Sequence, residues 1–514
     1  HQCFCYSAVR LDGFFALASR SDTPGINADG GERLERGPAY GEALDENESD
    51  GEQWPTYRQN PQRGGSVASD VPSELAQAWS TQLGGDLTQA VAAGGRVYVA
   101  EKKAGTLHCL DMDNGERLWS RTVAGGIDSP PSAHNGHVIF GSRDGFVYSL
   151  RAGDGELAWR FRAAPEDRQV MSHDRLESAW PLNGSVLILD GLVYAAAGRS
   201  GFLDGGVYLY ALDPVTGEQV HEHKLEGPYP DISEPSPPFY KNGHRADLLT
   251  TDGEHIYMGR TVLDRTLEEV EPEIIPLVGT QRGDEKEYRK MPGMRLVATG
   301  GFMNDTFFNR TWWMYSYAWP SYHYAQQAPK SGQMLVFDED HTYTVKHYTT
   351  RNRHSPMFFP GDGYLLFADD NENEPLFYRG EGEPEPIEWE PELPEETRWS
   401  IYQDAAVDKG PGFTRAEPPL WTAWHDVRVE AMALAGGNLF VAGPPDEVPL
   451  DDPLAALDGR MGAILRVVST NDGNPIKDYT LASRPVFDGL SAAQGKLLIV
   501  TEAGEVICMA AAGV

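Results

Sequence analysis

The sequence predicts an all-β propeller, and three observations carry that expectation. One phrase occurs twice, as TLHCLDMDNGERLWS at residues 106–120 and FVYSLRAGDGELAWRF at residues 146–161. Leu110, Gly115 and Trp119 of the first copy are answered by Leu150, Gly155 and Trp159 of the second. Around both copies, short runs alternate apolar and polar residues with Gly-containing turns between them, the pattern of successive hairpins. The copies lie about forty residues apart, which is the length of one blade of three or four strands.

Residues 1–20 include VRLDGFFALA, which reads as an inner strand of an upstream unit or one packed on the propeller. Residues 21–53 carry little apolar matter and read as a flexible acidic linker. Repeated matter fills 54–514. Each regular repeat opens on an apolar run after a Gly turn: GGRVYVAE, NGHVIFGS and LDGLVYAAAG. An alternating strand follows (GTLHCLD, GFVYSLR, GGVYLYALD), then a tight turn (MDNGE, AGDGE, PVTGE) and a last strand bearing Trp119 or Trp159.

Later repeats are stretched. DLLTTDGEHIYMGR opens one at Asp247. RLVATGGFMNDTFFNRTWWMYS and GQMLVFDEDHTYTVKHY are expected to share a blade. HSPMFFPGDGYLLFADD starts the next, trailed by the insertion GEGEPEPIEWEPELPEE. EAMALAGGNLFVAG and GAILRVVSTNDGNPIKDY form another. The final strands, GKLLIVTEAGEVICMA, lack an outer partner. ELAQAWSTQ at 74–82 would supply it, placing Trp79 where Trp119 and Trp159 sit and closing the ring by pairing N-terminal with C-terminal strands. The count is eight four-stranded blades, with seven as the alternative.

Charge excludes some functions. The formal net charge is -34, which would repel nucleic acid and anionic membranes. With 11 Lys against 32 Arg, the surface suits a chain kept soluble in salt, or acidic loops that simply solvate. No run of about 18 apolar residues predicts a membrane span. The sequence starts at His1, so a processed product or part of a longer protein is expected.

Cys109 and Cys508 occupy the slot that holds Ser149 and Ala211 in other repeats, so both are expected to be small, buried and reduced. Cys3 and Cys5 point the same way on a strand and suit a metal or an upstream partner better than each other. No CxxCH haem-attachment motif occurs.

Polar residues gather where the repeat breaks. His173, Asp174, Arg175, Glu177 and Trp180 crowd the start of the third blade; Arg199 and Asp204 lie in its first hairpin. Asn304, Asp305, Arg310 and Trp312 fall in one stretched repeat. Arg353, His354, His425 and Arg428 flank others. Segments joining one blade to the next face the channel mouth, so convergence there would make a ligand site. The structural alternative is interblade ion pairs.

LDMDNGERLW and LRAGDGELAW resemble the tryptophan-docking repeat of quinoprotein-type propellers, a family that includes pyrroloquinoline-quinone (PQQ) dehydrogenases and an outer-membrane assembly lipoprotein. WPTYRQNPQRGG at 54–65 resembles the opening segment of PQQ-repeat proteins of planctomycete-like bacteria. The resemblance implies a periplasmic or extracellular location and Trp side chains that pack on the next blade. The chain is expected to be a binding module for a protein or a small ligand, and the His, Arg and Trp residues of 172–204 and 301–313 favour an anionic saccharide or another small ligand. One alternative is a uronate-specific lyase, with His173 or His354 as base, a Tyr as acid and Arg310 or Arg199 neutralising the carboxylate. Another is a PQQ dehydrogenase holding Ca²⁺, although the adjacent cysteines usual there are missing; Asp174 and Glu177 are the nearest candidates for a cation.

Overall fold

The computed structural model describes residues 32–42, 52–172, 175–227, 243–276, 287–303, 312–318, 328–347, 363–378 and 412–512. The fold is all-β, an eight-bladed β-propeller, with no α-helix among the described residues. It divides into two compact units. The first comprises 1–49, 55–57 and 91–270; the second comprises 50–54, 58–90 and 271–514.

The first unit holds four blades. Val91–Ala93, Arg96–Glu101, Thr106–Asp111 and Arg117–Thr122 form one four-stranded sheet. Ser132–His134, His137–Gly141, Phe146–Arg151 and Leu157–Arg162 form the next. Leu187–Leu189, Leu192–Ala197, Val207–Leu212 and Gln219–Leu225 form the third. The fourth has Thr250–Thr251, Ile256–Met258 and Thr261–Leu263, with a single outer bridge between Leu263 and Glu269.

Burial explains why the inner runs are apolar at every position. Along HVIFG, Val138 and Phe140 enter the core shared with the preceding blade, while Ile139 enters the core shared with the following one. In the third blade, Val193 and Ala195 face back and Tyr194 faces forward. Period two therefore separates two buried faces rather than core from solvent.

Part of the acidic stretch 21–53 is a strand rather than linker. Leu34–Arg36 adds a fifth strand outside Leu157–Arg162, with Leu34 opposite Phe161. Arg33 holds it there: its guanidinium lies 5.1 Å from the Phe161 ring and donates to the Tyr210 hydroxyl at 2.6 Å. Residues 1–20, with Cys3 and Cys5, lie outside the described residues.

The second unit also holds four blades. The expected closure is found there: Leu75–Gln82 pairs antiparallel with Glu505–Ala511, outside Lys496–Thr501 and Pro485–Ala493. Trp79 is buried and stands opposite Cys508.

One expected blade boundary is wrong. Met334–Phe337 and His341–Lys346 pair with Tyr364–Asp370 and Trp421–His425, not with the strand Trp313–Ala318. Trp313–Ala318 belongs with Glu273–Pro276, Glu287–Ala298 and Ser331–Gly332. The intervening residues 348–362 and 379–411 stretch the repeat, so spacing no longer marks which strands share a blade. Ala431–Ala435, Asn438–Gly443, Ala463–Ser469 and Pro475–Leu481 complete the set, with Ser66–Val67 added in parallel beside Ala431–Ala435.

The repeated Trp and Gly meet across blades. Trp119 Nε1 donates to Ala152 O at 3.0 Å, Trp159 Nε1 to Pro214 O at 3.0 Å, and Trp421 Nε1 to Thr470 O at 2.8 Å. Each ring covers the glycine of the turn it reaches: Gly155, Gly217 and Gly473, with φ of +74°, +68° and +73°. A Cβ on Gly217 would sit 2.5 Å from the Trp159 ring. Glycine is thus required twice, for the left-handed backbone and for ring contact. The cross-strand neighbours of Trp79, Trp119, Trp159 and Trp421 are Cys508, Cys109, Ser149 and Ala368, all small.

Trp159→Ala is expected to destabilise the protein by about 3–5 kcal/mol in denaturant unfolding, as for other buried tryptophans. Gly217→Ala is expected to cost much less in the Trp159→Ala background than alone. Equal costs in the two backgrounds would show that the ring and the turn act independently.

Candidate functional site

In the first unit the break in the repeat is a small hairpin, Gln169–Ser172 with Arg175–Ser178, inserted before the third blade. Its register turns Glu177 inward, to 6% exposure. One Glu177 oxygen pairs with Arg199, and the other accepts from Arg143 Nη1 at 3.1 Å. Arg143 Nε reaches Asp128 at 2.6 Å. Arg199 also donates to Ala179 O at 2.5 Å and Ser178 O at 3.1 Å. Two acids and two arginines thus form one chain of balanced charge running between the second and third blades, with Glu177 buried at its centre. Burial pushes the Asp128 carboxyl above its ordinary range, against the pull of Arg143.

Beside it, Trp180 Nε1 donates to Asp204 O at 2.9 Å, and Arg168 lies 4.7 Å over the Trp180 ring while pairing with the Asp204 carboxylate. The fold therefore brings Glu177 to Arg199 and Trp180 to Asp204. Arg175 stands apart, exposed, and donates to Lys103 O. Both Glu177 oxygens face guanidinium groups, so this carboxylate does not fit a Ca²⁺ cage. No three His, Cys, Asp or Glu side chains converge as metal ligands among the described residues.

In the second unit His425 is buried under the next blade. Its Nε2 donates to Gly473 O at 3.1 Å, and its Nδ1 accepts from Arg466 Nη1 at 3.4 Å. Arg466 is bidentate to Asp478 at 2.8 and 2.7 Å and reaches Asp426 at 2.7 Å. Burial, then Arg466, pushes the imidazole down to about 4. Trp312 is buried, its backbone N–H donating to Thr299 Oγ1 at 2.9 Å. Arg428 is buried, with Glu430 3.9 Å away. His173, Asp174, Asn304, Asp305, Arg310, Arg353 and His354 lie outside the described residues.

Two polar clusters of the second unit were not read from the sequence. Arg58, fully buried, donates from Nη1 to both Asp488 carboxylate oxygens at 2.9 Å, from Nε to Arg63 O at 2.8 Å and from Nη2 to Leu335 O. Its guanidinium lies 4.9 Å from the Trp313 ring. Gln89 braces the pair, donating to Asp488 O at 2.7 Å and accepting from Arg58 N at 3.1 Å. The second cluster joins Arg415 to Asp369 and Lys330 to Glu374. There Lys346 Nζ lies 5.1 Å from the Phe367 ring and is pushed down to about 7 by burial and by Arg415. The available signal was the pair of arginines in WPTYRQNPQRGG, too polar for a strand and too apolar in its neighbours for a loop tip.

Residues 43–229 match the family described as outer membrane protein assembly factor BamB, a family of PQQ-type repeats. The chain carries PQQ-type propeller repeats. The assembly factor BamB of Burkholderia pseudomallei strain K96243 is 35% identical over 164 residues, which are 32% of this chain and 39% of that protein. A 1-butanol dehydrogenase (cytochrome c) of Thauera butanivorans is 25% identical over 211 residues, 38% of this chain and 28% of that one. The chain thus spans well under half the length of these curated relatives. Among solved structures, a europium-containing methanol dehydrogenase aligns at a TM-score of 0.49 and 12% identity, covering 90% of this chain and 98% of its own.

The repeat propeller's cysteines behave as the repeat alignment predicted. Cys109 and Cys508 are buried thiols outside any disulfide, and burial pushes the Cys109 thiol up to about 12. Neither is expected to react with a thiol reagent until the protein unfolds.

Arg199→Ala is expected to lower stability by about 3 kcal/mol, because it leaves Glu177 short of a charge partner. Arg175→Ala is expected to shift it by under about 0.5 kcal/mol. Thermal denaturation of both variants checks the contrast.

The depressed His425 has a pH signature. Between its ordinary value near 6.5 and about 4, the unfolded chain binds the proton and the folded one does not. Stability is therefore lost as pH falls through that window. His425→Gln is expected to flatten the acid limb of a stability–pH profile.

Proposed function

We propose that this chain is a binding propeller of the assembly-factor type, working outside the cytoplasm, whose ligand is a protein. The carrying observation is the match of residues 43–229 to an outer membrane protein assembly factor. A second observation supports it. Among the described residues, several side chains that would have lined a ligand mouth have partners inside the fold: Arg199 with Glu177, Trp180 with Asp204, His425 with Gly473 and Arg466. A catalytic acid or base needs a free face toward substrate. The small-ligand reading attaches to His173, Arg310 and His354, with Arg353, Asn304 and Asp305 beside them.

The test compares the readings directly. Surface-bound protein is exposed to the purified periplasmic domain of an outer-membrane barrel-assembly protein, and saturable binding is expected. In parallel, the chain is titrated with PQQ and Ca²⁺, and offered primary alcohols with an electron-accepting dye. Saturable quenching with alcohol-dependent dye reduction would replace this reading with a dehydrogenase. Release of unsaturated uronate from a polyuronate, abolished by His354→Ala, would replace it with a lyase.

A further inference from the structure

The blade built on Ala431–Ala435 carries a long excursion between its strands Asn438–Gly443 and Ala463–Ser469. Its sequence, residues 444–462, is PPDEVPLDDPLAALDGRMG. A loop of this length is ordinarily either functional or unstructured, and this one is built. Asp446 N donates to Asp426 O at 2.8 Å, fixing the outgoing limb to the blade. Residues 452–462 close on themselves: Asp458 N donates to Leu454 O at 2.9 Å, and Arg460 N to Ala455 O at 2.9 Å. The Arg460 guanidinium clamps the closure, meeting Asp452 at 3.0 and 2.7 Å and Asp458 at 2.6 Å. Ala455 and Ala456 are buried beneath it, and Arg484 Nη1 ties Leu457 O to the blade at 3.0 Å.

This braced loop displays apolar side chains. Leu450 is fully exposed at 102%, Leu454 is 49% exposed, and Val448 and Met461 are each 37% exposed. A fold that merely needed to cross from strand to strand would leave polar residues here. An ordered platform presenting leucines to water is the form of an interaction site, where a few apolar anchors carry most of the energy.

Charge selects the occupant. Asp446, Glu447, Asp451, Asp452 and Asp458 surround the leucines, and Arg460 is the only base in the loop. A second copy of a chain with formal charge -34 would meet like charge. An anionic lipid surface would be repelled in the same way. We propose that the loop 444–462 docks a partner protein through an amphipathic segment whose apolar side chains receive Leu450 and Leu454 and whose flanking Lys or Arg side chains face the acidic rim. The proposal rests on the protein-binding reading above and names the surface that serves it.

The probe is a fluorescent amphipathic peptide of Leu and Lys, with two controls, one replacing Lys by Glu and one replacing Leu by Ser. Binding to the full chain is followed by fluorescence anisotropy. The Leu/Lys peptide is expected to bind, and Leu450→Ser with Leu454→Ser to weaken it at least tenfold without moving the melting temperature. Glu447→Gln with Asp451→Asn is expected to weaken it less and to flatten its salt dependence. The Glu peptide is expected to stay unbound. Leu/Lys binding unchanged by the loop variants would overturn the proposal while leaving a protein-binding propeller intact. Equal binding of the Ser peptide would overturn it too, showing charge alone. Loss of dimer on Leu450→Ser in sedimentation, or Leu450-dependent binding to anionic vesicles, would assign the loop to a second copy or to lipid instead.

Discussion

The contact on which the rest depends is a tryptophan laid over its neighbour's glycine turn. A blade is a small sheet whose strands are apolar on both faces, so it has no stable existence with either face in water. Trp119, Trp159 and Trp421 each close one such face, and each ends its reach with a hydrogen bond to a carbonyl of the adjoining turn. The turn must then lack a Cβ, and the strand beside the Trp must be small. Three features that look separate in the sequence, a Trp, a Gly and a Cys or Ser, are therefore one packing solution.

This is why the first three blades were legible. Where the solution is repeated at even spacing, the residues announce both strand and partner, and the closing strand around Trp79 could be found by asking which blade lacked one. Legibility fell where insertions separated partners. Trp421 and Gly473 use the same solution, yet the residues between them hide the period. Met334–Phe337 was accordingly assigned to the wrong sheet.

The site was harder to read than the fold, for an electrostatic reason. A cluster of His, Arg and Glu at a break in a repeat has the same composition whether it awaits a ligand or neutralises itself. Glu177 and Arg199 neutralise each other, and His425 is held neutral between a carbonyl and a guanidinium. Only three-dimensional pairing separates the cases. The converse failure is Arg58, whose ion pair with Asp488 joins residues 430 apart in sequence. No local pattern could pair them, although a buried arginine demands some such partner.

The shared blade of Leu75–Gln82 and Glu505–Ala511 has a consequence for biosynthesis. Gln82 hydrogen-bonds to Ala503, 421 residues further on. The early strand therefore waits with its apolar Leu75 and Trp79 unmatched until the chain has grown by those 421 residues. Contacts of such sequence separation are slow to form and expose unpaired edges while they wait. Cleavage within Leu75–Gln82 would strip this sheet of its outer strand and leave the edge of Glu505–Ala511 unpaired, so a cut far from one blade strand in sequence exposes another.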